Sequence, residues 1–352
     1  MGAILGLGVT HYPPLCGRDE DMARILRRVL QDPGLPERYR RPEGWPGPMR
    51  EEYGTDDGLA AAGRHRAALL EGFRDARRRL DEFAPDCVLI WGDDQYENFK
   101  EDVIPPFSVL AYDAIEHRPW AEARWKQYRN VWGESSDTTF AYKGHRAAAK
   151  HLAGGLIDRG FDVAYAYRPL HHPLAHAFMN TLLYLDYDRR GFPYPVVPFS
   201  INCYGRRTIS QRATAANFAD MPDEDRFDPP SPAPWRCFDL GRMVARVLSE
   251  SPWRVALIAS SSWSHAFLTP KHQMLYPDTD ADRALYEKLR AGDYQGWRAT
   301  PLAAIEESGQ QEMLNWMCLA GAMAELERQP DASRFVETYI FNSNKCFAAF
   351  SG

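Results

Sequence analysis

Four short apolar runs in this chain end in the same way, in groups able to bind a cation or move a proton. Leu5 to Val9 runs into Thr10-His11-Tyr12-Pro13-Pro14, and Val88 to Trp91 runs into Gly92-Asp93-Asp94-Gln95-Tyr96-Glu97. Val163 to Tyr167 runs into Leu170-His171-His172, and Val255 to Ser260 runs into Ser261-Ser262-Trp263-Ser264-His265. Between them lie stretches with apolar residues at helical spacing. Leu69, Leu70, Phe73, Leu80 and Phe83 precede the breaker Pro85, and 144–159, 240–248, 280–289 and 312–327 read the same way. Strands alternating with helices predict an α/β fold, a single domain over residues 1–352 with a mostly parallel central sheet flanked by helices. Ligands of such sheets bind outside the carboxyl ends of the strands, so the four endings predict one composite active site there.

Other segments fill in the plan. Val196 to Ile201 is expected as a further strand and Thr338 to Phe341 as a late one. Ile104-Pro105-Pro106-Phe107 to Leu110 reads as an edge segment, because proline cannot donate to a ladder. Two polar, proline-rich stretches, 33–58 and 205–235, are expected as excursions that cover a site or meet another subunit.

Composition removes several function classes. A net charge of -6, with Arg77-Arg78-Arg79 on a helical stretch as the densest basic run, gives no case for nucleic acid. No apolar run is long enough to span a membrane. The six cysteines form no C-x-x-C pair, and the first strand, with its glycines, does not read as a secretory leader. A cytoplasmic protein with reduced thiols is expected.

The candidate residues each carry two readings. His11 before Tyr-Pro-Pro is either a metal ligand held by a stiff turn or a hydrogen-bonded turn residue. Asp93, Asp94, Gln95 and Glu97 suit a hard cation, or cap a helix. Adjacent His171 and His172 point different ways on an extended segment, so at most one faces a given site. His265 follows small residues that leave room for a ligand, and an imidazole there is placed for acid–base work. Ser264-His265 lacks the G-x-S-x-G elbow of a serine hydrolase.

Taken in order, these corners resemble the class III extradiol ring-cleavage dioxygenases. The resemblance runs through His11-Tyr12-Pro13-Pro14-Leu15, Val88 to Phe107, Lys143-Gly144-His145 and His172. It continues through Val197 to Asn202, Trp263-Ser264-His265, Asp280-Ala281-Asp282, Trp316 to Met323 and Asn342-Ser343-Asn344. Members of that family hold Fe(II) with two histidines and a glutamate and leave positions open for a catecholate and O2. The resemblance implies His11 as first ligand, Gln95 at the second histidine's position and Asp280 at the glutamate's, with Glu97 or Asp94 as substitutes for Gln95. It implies His265 as the acid–base residue, His172 as a second active-site histidine, and Ser343, Asn344 and Lys345 near the substrate's acidic side chain.

The expected activity is therefore O2-dependent opening of a dihydroxylated or aminohydroxylated aromatic ring. Fe(II) is the expected metal, with Mn(II) or Zn(II) as alternatives because Gln95 and Asp280 depart from the family's set. The same departures leave open a different oxidation, a hydrolytic or lyase reaction, or a non-catalytic partner subunit. A homo-oligomer is expected, with a separate small subunit as in some relatives, or the two excursions covering the site instead.

Overall fold

The computed structural model describes residues 2–126, 128–209, 211, 228–269 and 271–351. Ten strands are named among these: β1 (Ile4–Val9), β2 (Cys87–Asp93), β3 (Phe107–Leu110), β4 (Ala114–His117), β5 (Phe140–Lys143), β6 (Ala164–Ala166), β7 (Val196–Ile201), β8 (Val255–Ser260), β9 (Ala332–Val336) and β10 (Lys345–Phe350). The helices are α1 (Arg24–Leu30), α2 (Gly47–Tyr53), α3 (Leu59–Phe83), α4 (Ala123–Lys126), α5 (Arg146–Ile157), α6 (His176–Leu185), α7 (Pro234–Ser249), α8 (Thr279–Arg290), α9 (Tyr294–Arg298), α10 (Leu302–Glu307) and α11 (Met313–Glu325).

Eight strands form one sheet in the order β6-β3-β7-β2-β8-β1-β10-β9, and β4 pairs with β5 in a separate hairpin. The centre β7-β2-β8-β1 is parallel throughout, while antiparallel pairs join β3 to β7, β10 to β1 and β9 to β10. Helices cover both faces, which is why β2, β7 and β8 are buried along their whole length and are mostly apolar. Alternation still sorts the side chains. Leu89, Trp91, Leu257 and Ala259 pack in one core with residues of α5, α7 and α11, and Val88, Ile90, Ala256 and Ile258 in the other with residues of α3 and α6. The glycines of β1 let α11 lie directly on the strand, since a Cβ at Gly8 would fall 2.1 Å from the Trp316 ring.

Three expectations change. The 104–110 segment yields β3, which lies inside the sheet between β6 and β7 because the prolines precede the paired residues. The 163–167 run gives only the short β6, at the sheet's edge with Tyr165 55% exposed, so it is not a central strand. Residues 338–341 form a loop whose Ile340 and Phe341 are buried; the late strands are β9 and β10. Residues 33–58 fold as 3-10 turns and α2, anchored by buried Leu35, Trp45 and Met49. Most of the 205–235 stretch lies outside the described residues, and its last two, Pro234 and Trp235, begin α7. All six cysteines are buried and unpaired, and no helix among the described residues is long and apolar enough to cross a membrane.

Candidate active site

The carboxyl ends of β1, β2 and β8 converge with the residue that opens α11. His11 follows β1, Asp93 ends β2, Ser260 ends β8 and Glu312 immediately precedes α11. His11 Nε2 lies 3.7 Å from Asp93 Oδ1 and 3.5 Å from Glu312 Oε2. All three residues are at most 2% exposed. His11 Nδ1 is 3.2 Å from the Ser260 carbonyl, which can only accept, so Nδ1 carries the proton and the Nε2 lone pair faces the two carboxylates. Asp93 Oδ1 and Glu312 Oε2 have no hydrogen-bond partner. Three buried ligand atoms from one imidazole and two carboxyls therefore face one another, a set that could hold a divalent cation.

The electrostatics agree. Burial, then the charges that facing His176 and His265 would carry, hold His11 well below the usual histidine range. Burial raises Asp93 to about 6, and burial together with the Asp93 charge raises Glu312 well above the ordinary carboxyl range. A bound cation would oppose both carboxyl shifts by stabilising the charged forms.

The remaining oxygens of the pair are braced. Tyr204 donates its hydroxyl to Glu312 Oε1 at 2.6 Å. Gln95 Nε2 donates to the Tyr204 oxygen at 2.7 Å, and at longer range to Asp93 Oδ2 (3.3 Å) and Glu312 Oε1 (3.4 Å). The turn after β1 is fixed from α6, where Asn180 donates to the His11 carbonyl at 2.9 Å and Tyr184 to the Tyr12 carbonyl at 2.9 Å.

His265 stands beside this group, its Nε2 3.4 Å from Glu312 Oε1 and its Nδ1 buried without a partner. Burial, then the Lys345 charge, pushes it down to about 3, so the imidazole is neutral and one ring nitrogen carries no proton. Asp282 holds the surrounding loops in place. Its carboxylate accepts Ser264 N–H at 3.1 Å on each oxygen, Gln310 Nε2 at 2.7 Å and Asn344 Nδ2 at 2.8 Å. One side chain so ties the His265 turn, the approach to Glu312 and the start of β10.

A cavity of about 570 Å³ opens onto these groups. His11, Gln95, His176, Ser262, His265, Phe267, Glu312 and Asn342 line it, and α1 contributes Arg24, Arg27 and Arg28.

Several residues singled out in the sequence fall elsewhere. Asp280 lies on the surface of α8, its side chain 93% exposed and 3.5 Å from Arg283, so it is not brought to His11; Glu312 occupies that place. Glu97 is close by but turned to His176, accepting its backbone N–H at 3.0 Å and pairing with Nδ1 at 2.8 Å. Gln95 is at the site, where its amide nitrogen holds the two carboxylates. His172 is outside the cavity, with Nε2 3.0 Å from Glu122 Oε1. Ser343 and Asn344 are buried in the supporting structure, whereas their neighbour Asn342 lines the cavity. Lys345 is fully buried, donating to the Phe341 and Ser343 carbonyls and lying 3.6 Å above the Tyr12 ring, and it does not line the cavity. Glu312 is not among the residues the sequence singles out; its cue is an acidic residue at the head of a helix buried along most of its length. His176 also belongs to this group, its ring meeting His11 edge-on with centroids 5.2 Å apart.

Comparison with known proteins gives a consistent direction. Residues 228–348 match the family described as the catalytic LigB subunit of aromatic ring-opening dioxygenase. The match takes in His265, Asp282 and Glu312 but not His11 or Asp93. The chain is 28% identical over 211 residues, 60% of its length and 52% of the relative's, to 2,3-dihydroxyphenylpropionate/2,3-dihydroxicinnamic acid 1,2-dioxygenase of Comamonas testosteroni. It is 24% identical over 208 residues (59% and 52%) to the protein of that name from Photorhabdus laumondii, and 27% identical over 220 residues (62% and 53%) to that from Burkholderia vietnamiensis. These alignments span about half the length of each relative.

Proposed function

We propose that this chain, a relative of the class III extradiol ring-cleavage dioxygenases, uses O2 to open the ring of an aromatic acid carrying vicinal hydroxyls, or a hydroxyl beside an amine. The observation that carries the reading is the set of unpaired lone-pair atoms on His11, Asp93 and Glu312 beside a neutral His265.

His11 Nε2, Asp93 Oδ1 and Glu312 Oε2 would hold the metal. Fe(II) is the ion this chemistry calls for, supplying the positions where the ring oxygens and O2 are brought together. Two carboxylates and one imidazole make a harder set than two imidazoles and one carboxylate. That favours Mn(II) as the second candidate ion over Zn(II). Tyr204 and Gln95 keep the carboxylates aimed, and buried ligands keep water from competing.

His265 takes the proton from the substrate hydroxyl, since the residue lines the cavity and burial keeps its ring uncharged. The same imidazolium can return that proton as the ring opens. His176, oriented by Glu97, lines the same cavity and orients the bound ring. The three α1 arginines place positive charge at the outer part of the cavity, where Arg24 and Arg28 are exposed. A substrate side chain ending in a carboxylate suits them, as in the acids that the relatives' names specify. This role, assigned to Lys345 on the sequence, passes to α1.

The test is turnover of 2,3-dihydroxyphenylpropionate and related catecholic acids by Fe(II)-loaded protein, followed by O2 consumption. Wild type should consume O2 and give a ring-opened product. His265→Ala should retain the metal and lose roughly 10²–10⁴-fold in rate. Full turnover in that variant, or none in wild type with any catechol, would sink the reading.

A further inference from the structure

The fourth strand-end corner, left out of the active site, meets a different part of the chain. His117 ends β4, Glu122 precedes α4, and His172 lies in the corner before α6. Glu122 Oε1 is 2.9 Å from His117 Nε2 and 3.0 Å from His172 Nε2. One carboxylate oxygen thus faces two imidazole nitrogens from three separate segments. His172 is in hydrogen-bonding geometry with it, but His117 is not. Both ring nitrogens of His117 are without a hydrogen-bond partner, although its side chain is only 1% exposed. A buried imidazole with both nitrogens unpaired is uncommon enough to need an explanation. Although burial opposes it, His117 and His172 together hold the Glu122 carboxyl down to about 2, so the oxygen between the two rings stays charged.

We propose that His117, Glu122 and His172 form a second divalent-metal site, for a borderline cation of the zinc class, distinct from the group around His11. Two imidazoles and a carboxylate are a ligand set zinc accepts, with water completing the shell. A cation off the His117–Glu122 line takes both Nε2 lone pairs and the carboxylate oxygen at once. The two histidines would release any proton they carry, and no covalent bond changes. Glu122 and His172 are part-exposed, 29% and 20%, which leaves an entry path and room for the water. The backbone of the corner is already set, since Asn98 donates to the His172 carbonyl at 2.6 Å and accepts Ala175 N–H at 2.6 Å. Neither Nδ1 has an acceptor to brace its ring, which lowers affinity by about 10–100-fold relative to a site whose ligands are held that way. The bound ion would pin the β4–β5 hairpin to the start of α6, the helix that braces His11.

Titration with Co(II) and Zn(II) alone separates the two sites. Wild type should bind two ions per chain, and an Asp93→Asn/Glu312→Gln variant should keep one, with the visible absorption of Co(II) bound to imidazole. Adding His172→Gln should abolish that remaining ion. No binding by the double variant, or binding that survives His172→Gln, would overturn the proposal. If the double variant does not fold, His172→Gln in the otherwise wild-type chain decides. A fall from two ions to one supports the site, and an unchanged count refutes it. Neither outcome bears on turnover at His11, so failure here leaves the proposed activity standing.

Discussion

Tyr204→Phe isolates what the buried hydroxyl contributes to the cation site. The phenol donates to Glu312 Oε1 at 2.6 Å, whereas the Gln95 contact with the same oxygen is 3.4 Å and weak. Phenylalanine fills the same space, so the fold should survive. A hydrogen bond to a charged group contributes about 1.5–3 kcal/mol, and cation binding requires Glu312 in its charged form. At about 1.4 kcal/mol per tenfold, the dissociation constant for Fe(II) or Mn(II) should rise about 10- to 100-fold. That range matches the usual effect of removing a group that orients a metal ligand. The assay is an anaerobic chelator-competition titration in a His172→Gln background, so that one site is counted. Turnover at limiting metal should fall in parallel and recover with excess Fe(II). An affinity within about twofold of the parent, with the fold intact, would show that Glu312 does not hold the cation.

Two further outcomes follow from buried polar groups away from the metal. Asp282→Asn turns an amide N–H₂ toward a carboxylate's donors, Ser264 N–H, Gln310 and Asn344, and should destabilise the protein by about 2–3 kcal/mol in urea unfolding. A loss below about 0.5 kcal/mol would mean the three loops are held by something else. His65 is held neutral because burial, then the charges of Lys345 and Arg66, lowers it well below 6.5. The unfolded chain takes up that proton below pH 6.5 and the folded chain does not, so stability is full above 6.5 and falls as pH drops. The slope is about 1.4 kcal/mol per pH unit for one proton. His65→Phe, which keeps the ring contacts with Tyr12 and Phe341, should flatten it by one proton; an unchanged slope between pH 4.5 and 6.5 would refute this.

The parallel core was legible because covered strands are built on mostly apolar runs, and β1, β2, β7 and β8, buried along their whole length, are. His11 and His265 were legible for the same reason, since each follows a strand whose end is fixed by its own pattern. Asp93 was visible only as one of four polar residues in a row, and period alone does not say which carboxylate turns inward. Glu312 was hidden because its position depends on how α11 lies across β1, a matter of packing against Gly6 and Gly8. The corner at His172 misled because β6 looks like the other strands in sequence, yet it pairs only with β3 among the strands described and is displaced from the centre. Lys345 could not be placed from its neighbours; its burial comes from β10 running antiparallel beside β1.

The most direct test is to locate the metal. Crystals loaded anaerobically with Fe(II) and measured at the iron absorption edge should give an anomalous peak enclosed by His11 Nε2, Asp93 Oδ1 and Glu312 Oε2, with His265 beside it and not bound to it. No peak there, or iron found only at His117, Glu122 and His172, would contradict the account.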